Sequence, residues 1–520
     1  MINPILLADA YKISHPEQYP DNTEYVYSNT TARKSRIDGV DHVVVFGIQY
    51  LTKEYLVDRF ERDFFRRPKD DVLQELDDFF VSFFGPGAVD VSRYGDLHDV
   101  GYLPLEIKCL PEGTRCPIGV PFMTIVNTNP KFYWLTNAIE TLVQNVIWNP
   151  ITAATIADRY RQLLDKYADM TSDSPGFVDF QGHNFSMRGM SSPESSMTTD
   201  GGHLLSFNGS DTLPGTWFVN EYYGPNDGVL IGTSVPATEH SVMSAGGCED
   251  ERETFRMLIQ DVYPSGIVSI VSDTWDLWKV LTEIAPSLRK EIEARDGRTV
   301  FRPDSGDPVK IVCGYNVKMH ASLPESREQW EAFYEDGYDA VFTPDGQYLD
   351  EHGKVLSMNE VKGCVQILDE QFGSTINSKG YKELNPKVGL IYGDSITYER
   401  AEQICKELAD KGYASTNVIY GIGSFTFQYN TRDTFSIACK ATWVQIDGEG
   451  REIFKDPVTD DGTKKSAKGL LQVYRDTDGT ICLRDCVSKS EEEETILETV
   501  FLDGQAFMET FGTIRKRLRR

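Results

Sequence analysis

The sequence predicts an α/β protein: an irregular parallel α/β barrel of about seven strands, with an α+β antiparallel-sheet domain built from both chain ends. Three observations predict it. After Asp173 short β-type runs recur, each ending in polar or glycine-rich residues, with helical pattern in most intervals, as in 276–294 and 397–408. The stretch 103–127 instead alternates apolar and polar residues between turns, the pattern of antiparallel sheet. Beyond Gly423 that pattern returns at 438–442, 470–474 and 480–483.

The division that follows is 1–175 as the first part of a sheet and helix scaffold, 176–428 as the barrel, and 429–520 as the rest of the scaffold. Between Cys313 and Lys382 the barrel rhythm fails, and 314–381 reads as an acidic surface insertion with small hairpins.

The elements follow in order. The opening residues lack the basic start and long apolar core of a signal peptide. Asp9 to His15 is a polar, aromatic cluster, with Asp9 placed to cap a helix and Tyr11 a ring that can stack. A strand at Tyr25 to Tyr27 runs into Thr30 to Arg36, the densest basic patch of the first half, either a solvated loop or an anion site. Helical pattern covers 43–65, 71–84, 134–147 and 153–168. The seven barrel strands are expected at 177–180, 204–207, 228–231, 267–271, 299–301, 388–392 and 417–420. The tail, from the acidic run at Glu491 to the basic Arg515 to Arg520, reads as a solvated helix.

Composition narrows the function. The 520 residues carry 80 Asp and Glu against 52 Lys and Arg, a formal charge of −28. Such a field repels phosphate backbones, so nucleic acid and anionic membranes are not expected partners, and an anionic ligand needs a local basic pocket. Nine scattered cysteines without Cys-x-x-Cys spacing signal neither a disulfide framework nor zinc; they predict reduced thiols and a cytoplasmic protein. No run approaches the roughly 18 apolar residues of a membrane span.

The tip of the strand at 299–301 has the look of a site. Val300-Phe-Arg-Pro-Asp-Ser-Gly-Asp-Pro308 places a cation, a carboxylate and a glycine turn where a buried strand ends. Arg302 offers a fixed fork of donors, Asp304 accepts from sugar hydroxyls or a metal's water, and Gly306 lets the backbone approach a ligand. Alone, the pattern also fits a turn in which Arg302 and Asp304 pair. In a parallel barrel, however, the strand tips converge on one mouth. Asp273, Asp304 and Asp394 then suit ribose hydroxyls and water-bound Mg²⁺, while Gly421-Ile-Gly-Ser424 suits a monophosphate.

Nine segments, in order from about residue 5 to about residue 475, carry a resemblance. They are Asp9-Ala-Tyr-Lys12, Tyr133-Trp-Leu-Thr-Asn137, Phe185-x-x-Arg-Gly189, Gly209-Ser-Asp-Thr212, Ser234-Val-Pro-Ala-Thr-Glu-His-Ser241, Val271-Ser-Asp-Thr-Trp-Asp276, Arg302 to Pro308, Gly393-Asp394 and Phe454-Lys-Asp-Pro-Val458. Together they resemble the nicotinamide phosphoribosyltransferases, of the type II phosphoribosyltransferase class. The acidic phosphate-binding signature of type I enzymes is absent.

The resemblance implies a reaction of nicotinamide with 5-phosphoribosyl-1-pyrophosphate, giving nicotinamide mononucleotide and pyrophosphate in NAD salvage. It also implies a homodimer with composite sites, Mg²⁺, and ATP as co-substrate. Phe185 and Tyr11 of the other subunit would sandwich the pyridine ring, Asp211 would accept from the carboxamide, and Ser269 and Arg302 would lie against the base. Asp304, Gly393 and Asp394 would hold the ribose, and Gly423 and Ser424 with Arg302 the 5′-phosphate. Arg188 from one subunit and Arg33, Arg432, Lys440 and Lys455 from the other would meet the pyrophosphate. Asp273 and Asp304 would carry Mg²⁺ through water, and His240 would be the histidine phosphorylated by ATP. The rival readings are a nicotinate phosphoribosyltransferase, against which the Asp211 carboxylate argues, and a non-catalytic sugar-phosphate-binding homologue.

Overall fold

The computed structural model describes residues 2–224, 228, 230–319, 321–393, 395–454 and 467–519. The scaffold sheet has seven strands, in the spatial order Glu449–Glu452, Ile437–Ile446, Thr23–Ala32, Pro121–Asn127, Leu105–Cys109, Glu498–Leu502 and Gln505–Ala506. All neighbours are antiparallel. Thr23–Ala32 lies centrally, between a strand from each side of the barrel segment, so both chain ends build one sheet as expected.

The barrel sheet is parallel throughout, in the order Gly209–Ser210, Gly182–Asn184, Val418–Ile422, Val388–Tyr392, Asp296–Arg302 and Ser265–Val271. Its two edges are joined by 233–237, through parallel bridges from Gly209 to Thr233 and from Ala237 to Ser269. Six strands and one bridging segment thus close the ring. Val388–Tyr392 is buried along its whole length, as a strand covered on both faces must be.

Several expected elements differ. Residues 175–180 form a 3₁₀ turn and the strand follows at Gly182–Asn184; 193–206 is a helix, and its strand is the two-residue Gly209–Ser210. Both apolar runs are too short for periodicity to separate a strand from one side of a helix. At 228–231 the structure describes only 228, 230 and 231, and pairing begins at Thr233. The helices expected at 134–147 and 153–168 are a short turn and then one helix, Glu140–Thr171, running through Pro150. The Pro150 ring packs where a Cβ at Gly47 (φ 90°) would sit, so a glycine is needed at that close approach. This helix contributes Val143 and Ile147 to the scaffold core and Tyr160 and Leu164 to the barrel core, fixing the two together.

Two further differences concern surfaces. Within 314–381 a small four-stranded sheet does stand apart, but the helix Met358–Phe372 buries Val365, Leu368 and Phe372 in the barrel core. The tail helix Phe511–Leu518 is not fully solvated: Arg515 is buried and donates to the carbonyls of Leu204, Leu230 and Ile231, and Arg519 to that of Leu205. These cations satisfy the open C-terminal carbonyls of Pro193–Ser206 and meet its negative dipole end. Among the described residues, no helix is long and apolar enough to cross a membrane, and all nine cysteines are free.

Candidate active site

The site lies at the C-terminal ends of the parallel strands. Gly182–Asn184 delivers Phe185, Gly209–Ser210 delivers Asp211, Ser265–Val271 holds Ser269 and leads to Asp273, and Asp296–Arg302 ends on Arg302 and leads to Asp304. Val388–Tyr392 leads to Gly393 and Val418–Ile422 to Gly423 and Ser424. Parallel pairing puts all these tips on one side.

One end of the mouth is built around Asp211. Its Oδ1 accepts from His183 Nε2 at 2.9 Å and from the Ser234 hydroxyl, while Oδ2 takes no hydrogen bond among the described residues. Burial pushes this carboxyl up, yet the His183 and Ser234 hydrogen bonds and the charges of His183 and Arg302 outweigh it and hold the group below its ordinary range. The side chain keeps 40% of its exposure, so an ionised acceptor faces the mouth. The His183 ring also lies 4.7 Å from that of Phe185.

A second cluster is built around Asp273 and Asp304. The Asp304 N–H donates to Asp273 Oδ2 at 2.8 Å, and a Cβ at Gly393 would collide with Asp304 Oδ1. His240 opens a short helix; its Nδ1 lies 3.1 Å from Thr274 Oγ1, and its Nε2 lies 3.9 Å from Asp273 Oδ1 and 3.8 Å from Asp304 Oδ2. Three buried polar atoms here have no hydrogen-bond partner among the described residues: Ser269 Oγ, Asp273 Oδ1 and Arg302 Nε. Buried polar groups are rarely left so, and three on neighbouring tips mark where a polar ligand would bind. No set of three His, Cys, Asp or Glu residues able to hold a metal occurs among the described residues.

The expected cations form two groups. Arg188 lies in the 3₁₀ turn Met187–Gly189, where a Cβ at Gly189 would strike the Ser424 hydroxyl, so Arg188 belongs to the barrel mouth. Arg33, Arg432 and Lys440 lie on the scaffold: Arg33 follows Ala32, which pairs with Ile437, and its Nε donates to the Ser436 carbonyl. Arg432 opens the 3₁₀ turn Arg432–Thr434, and Lys440 pairs opposite Asn29. No hydrogen bond or ion pair among those described joins the two groups. Tyr11 is 60% exposed, with its ring on His15 and none of its described ring contacts to Phe185. Asp394 and Lys455 fall outside the described residues.

Sequence reasoning missed His183, Ser234 as a partner of Asp211, and Thr274. The signal for His183 was present: two residues before Phe185 on a strand, it shares that residue's face.

Comparison with known proteins identifies the family. Residues 180–505 match the profile of the nicotinate phosphoribosyltransferase (NAPRTase) family, and residues 3–86 that of the nicotinamide phosphoribosyltransferase N-terminal domain. A nicotinamide phosphoribosyltransferase of Acinetobacter baylyi is 46% identical, covering 99% of this chain and 97% of the relative. The chain belongs to the nicotinamide phosphoribosyltransferase family. It is an enzyme, a phosphoribosyltransferase. Another nicotinamide phosphoribosyltransferase, from Xanthomonas campestris, is 33% identical over 98% of this chain and 96% of its own length. Among solved structures, a nicotinate-nucleotide pyrophosphorylase from Pyrococcus furiosus superposes with a TM-score of 0.53 at 14% identity, over 99% of this chain and 95% of the other. Human nicotinic acid phosphoribosyltransferase gives 0.50 at 14% identity, over 98% and 92%. At that identity the likeness is one of fold, and the nicotinamide phosphoribosyltransferase assignment rests on the sequence relatives.

Proposed function

We propose that this enzyme transfers the 5-phosphoribosyl group of 5-phosphoribosyl-1-pyrophosphate to nicotinamide, giving nicotinamide mononucleotide and pyrophosphate for NAD salvage. The observation that carries the choice of base is Asp211, an ionised carboxylate with one oxygen taken by His183 and Ser234 and the other turned to no described group. It accepts from a carboxamide NH₂ and repels the carboxylate of nicotinate. The sequence relatives that match nearly the whole chain, at 46% and 33% identity, are named for nicotinamide.

The pyridine nitrogen attacks the ribose C1, the bond from C1 to the pyrophosphate oxygen breaks, and the electron pair leaves with pyrophosphate. No proton moves in that step, so the protein's work is to orient the reactants and neutralise the leaving group. Phe185 stacks the base, with Tyr11 of a second copy of the chain on the other side. Ser269 and Arg302 present their unsatisfied polar atoms to the substrate. Asp304, Gly393 and Asp394 hold the ribose, and Gly423 and Ser424 the 5′-phosphate. Arg188, with Arg33, Arg432, Lys440 and Lys455 of the second copy, faces the pyrophosphate in a homodimer.

Asp273 and Asp304 would hold Mg²⁺ through water, a fit supported by the unpartnered Asp273 Oδ1; the ion would supply charge neutralisation on the pyrophosphate. His240, beside both carboxylates, would accept the terminal phosphoryl group of ATP as ADP departs, coupling ATP hydrolysis to synthesis. The test is incubation with 5-phosphoribosyl-1-pyrophosphate, Mg²⁺ and either nicotinamide or nicotinate, with and without ATP. Mononucleotide from nicotinamide, increased by ATP, is expected; turnover of nicotinate in preference would overturn the base assignment.

A further inference from the structure

We propose that Asp200 is the positioning residue of the base subsite: it keeps Phe185 and Asp211 in register by tying together the two strand tips that carry them. The inference rests on the base-recognition reading above and extends it to a residue that touches no substrate.

Asp200 lies in the middle of the helix Pro193–Ser206 and is fully buried. Its Oδ1 accepts from Asn184 Nδ2 at 2.6 Å and from Ser210 Oγ at 2.7 Å. Asn184 immediately precedes Phe185, and Ser210 immediately precedes Asp211. One carboxylate oxygen therefore anchors the last strand residue before each recognition group.

Both anchors pass the constraint onward. Asn184 Oδ1 accepts the Ser186 N–H at 2.9 Å, and its backbone carbonyl accepts the Asp211 N–H at 3.0 Å. Ser210 Oγ accepts the Thr212 N–H at 3.0 Å. The residue after Phe185 and the residue after Asp211 are thus both held through side chains that Asp200 orients. Gly182–Asn184 and Gly209–Ser210 pair with each other at only two positions; their outer partners, Val418–Ile422 and Thr233, hold each strand separately, so the ladder between the two fixes their relative register weakly.

The arrangement carries a cost that a stability role does not account for. Asp200 Oδ2 is buried without a hydrogen-bond partner among the described residues and faces Gly215, where a Cβ would collide with it. An unsatisfied oxygen on a buried carboxyl opposes folding, and an apolar residue would pack a helix interior without that cost. What the carboxyl uniquely supplies is an oxygen that takes two donors from two strands at once.

The experiment is steady-state kinetics of the full-length enzyme with each substrate varied in turn, beside its thermal unfolding. Asp200→Ala is expected to raise KM for nicotinamide about tenfold, the effect of losing one or two buried hydrogen bonds, while KM for 5-phosphoribosyl-1-pyrophosphate stays within about twofold. Asp200→Asn keeps an oxygen for both donors and is expected to restore KM for nicotinamide to within about threefold of the parent. Ser210→Ala removes only a hydroxyl and reads the same split should Asp200→Ala not fold. An unchanged KM for nicotinamide, or a parallel loss for both substrates, would overturn the proposal. A parent enzyme that makes no product from nicotinamide would instead overturn the base assignment on which it rests.

Discussion

His183 Nε2 donates to Asp211 Oδ1 across 2.9 Å, so one oxygen of the carboxylate is occupied before any ligand arrives. The ring that meets the carboxylate is also the ring beside Phe185, so one imidazole supports both side chains.

Asp211→Ser keeps the position small and polar but removes the charge. The parent's preference for nicotinamide over nicotinate, measured as the ratio of kcat/KM values, is expected to fall roughly a hundredfold, since a lost charge-assisted hydrogen bond and a relieved repulsion act in the same direction. An unchanged ratio, with both substrates declining together, would make Asp211 a structural residue. Because its neighbours hold the carboxyl below its ordinary range, the preference is expected to stay level as pH falls from 8 to 5 and to be lost only under stronger acid.

His240→Ala is expected to abolish stimulation by ATP while leaving ATP-independent synthesis measurable. The imidazole lies 3.8–3.9 Å from two carboxylates and is the proposed phosphoryl carrier, with no part in the attack on ribose. Equal stimulation in variant and parent would remove it from that role.

Tyr11, Arg33, Arg432 and Lys440 lie on the scaffold, and the described contacts of one chain do not bring them to the barrel mouth. A second copy would complete the site. Mixing inactive Arg33→Ala with inactive Asp304→Ala chains is then expected to recover about a quarter of parental activity at full exchange, because half the chains pair as heterodimers and each holds one intact site. No recovery after verified exchange would place all the groups in a single chain.

The fold class was legible because the strands Ser265–Val271, Asp296–Arg302, Val388–Tyr392 and Val418–Ile422 are β-rich and lead directly into polar tips. The barrel's other edge was not, since Gly182–Asn184 and Gly209–Ser210 contain no apolar run. Their neighbours 177–180 and 204–207 are apolar for another reason: Val178 and Phe207 pack into the core from a 3₁₀ turn and a helix end. Among the candidate residues, Arg302 and Asp304 follow an apolar run and could be read from the chain, whereas Phe185 and Asp211 entered through the family resemblance. Asp200 and His183 act through partners 10 to 28 residues away, and no local pattern announces which partner that is.

Asp200 also makes stability depend on pH. Burial, with the charge of Asp211, pushes its carboxyl up to about 7, against the two hydrogen bonds that favour ionisation. From about pH 4 to about pH 7 the folded chain keeps a proton that the unfolded chain has released, so this group's contribution to stability is lost as pH rises through that window. Asp200→Asn has nothing to titrate there. Its buried NH₂ carries a fixed penalty, which cancels when one variant is followed across pH. The stability of Asp200→Asn relative to the parent, from urea unfolding at pH 5, 6, 7 and 8, is expected to rise by up to about 1.4 kcal/mol per pH unit below 7 and then level off. Other titrating groups, such as the buried His203, are common to both proteins and drop out of the difference. A flat difference would mean that Asp200 is already ionised at pH 5 in the folded protein.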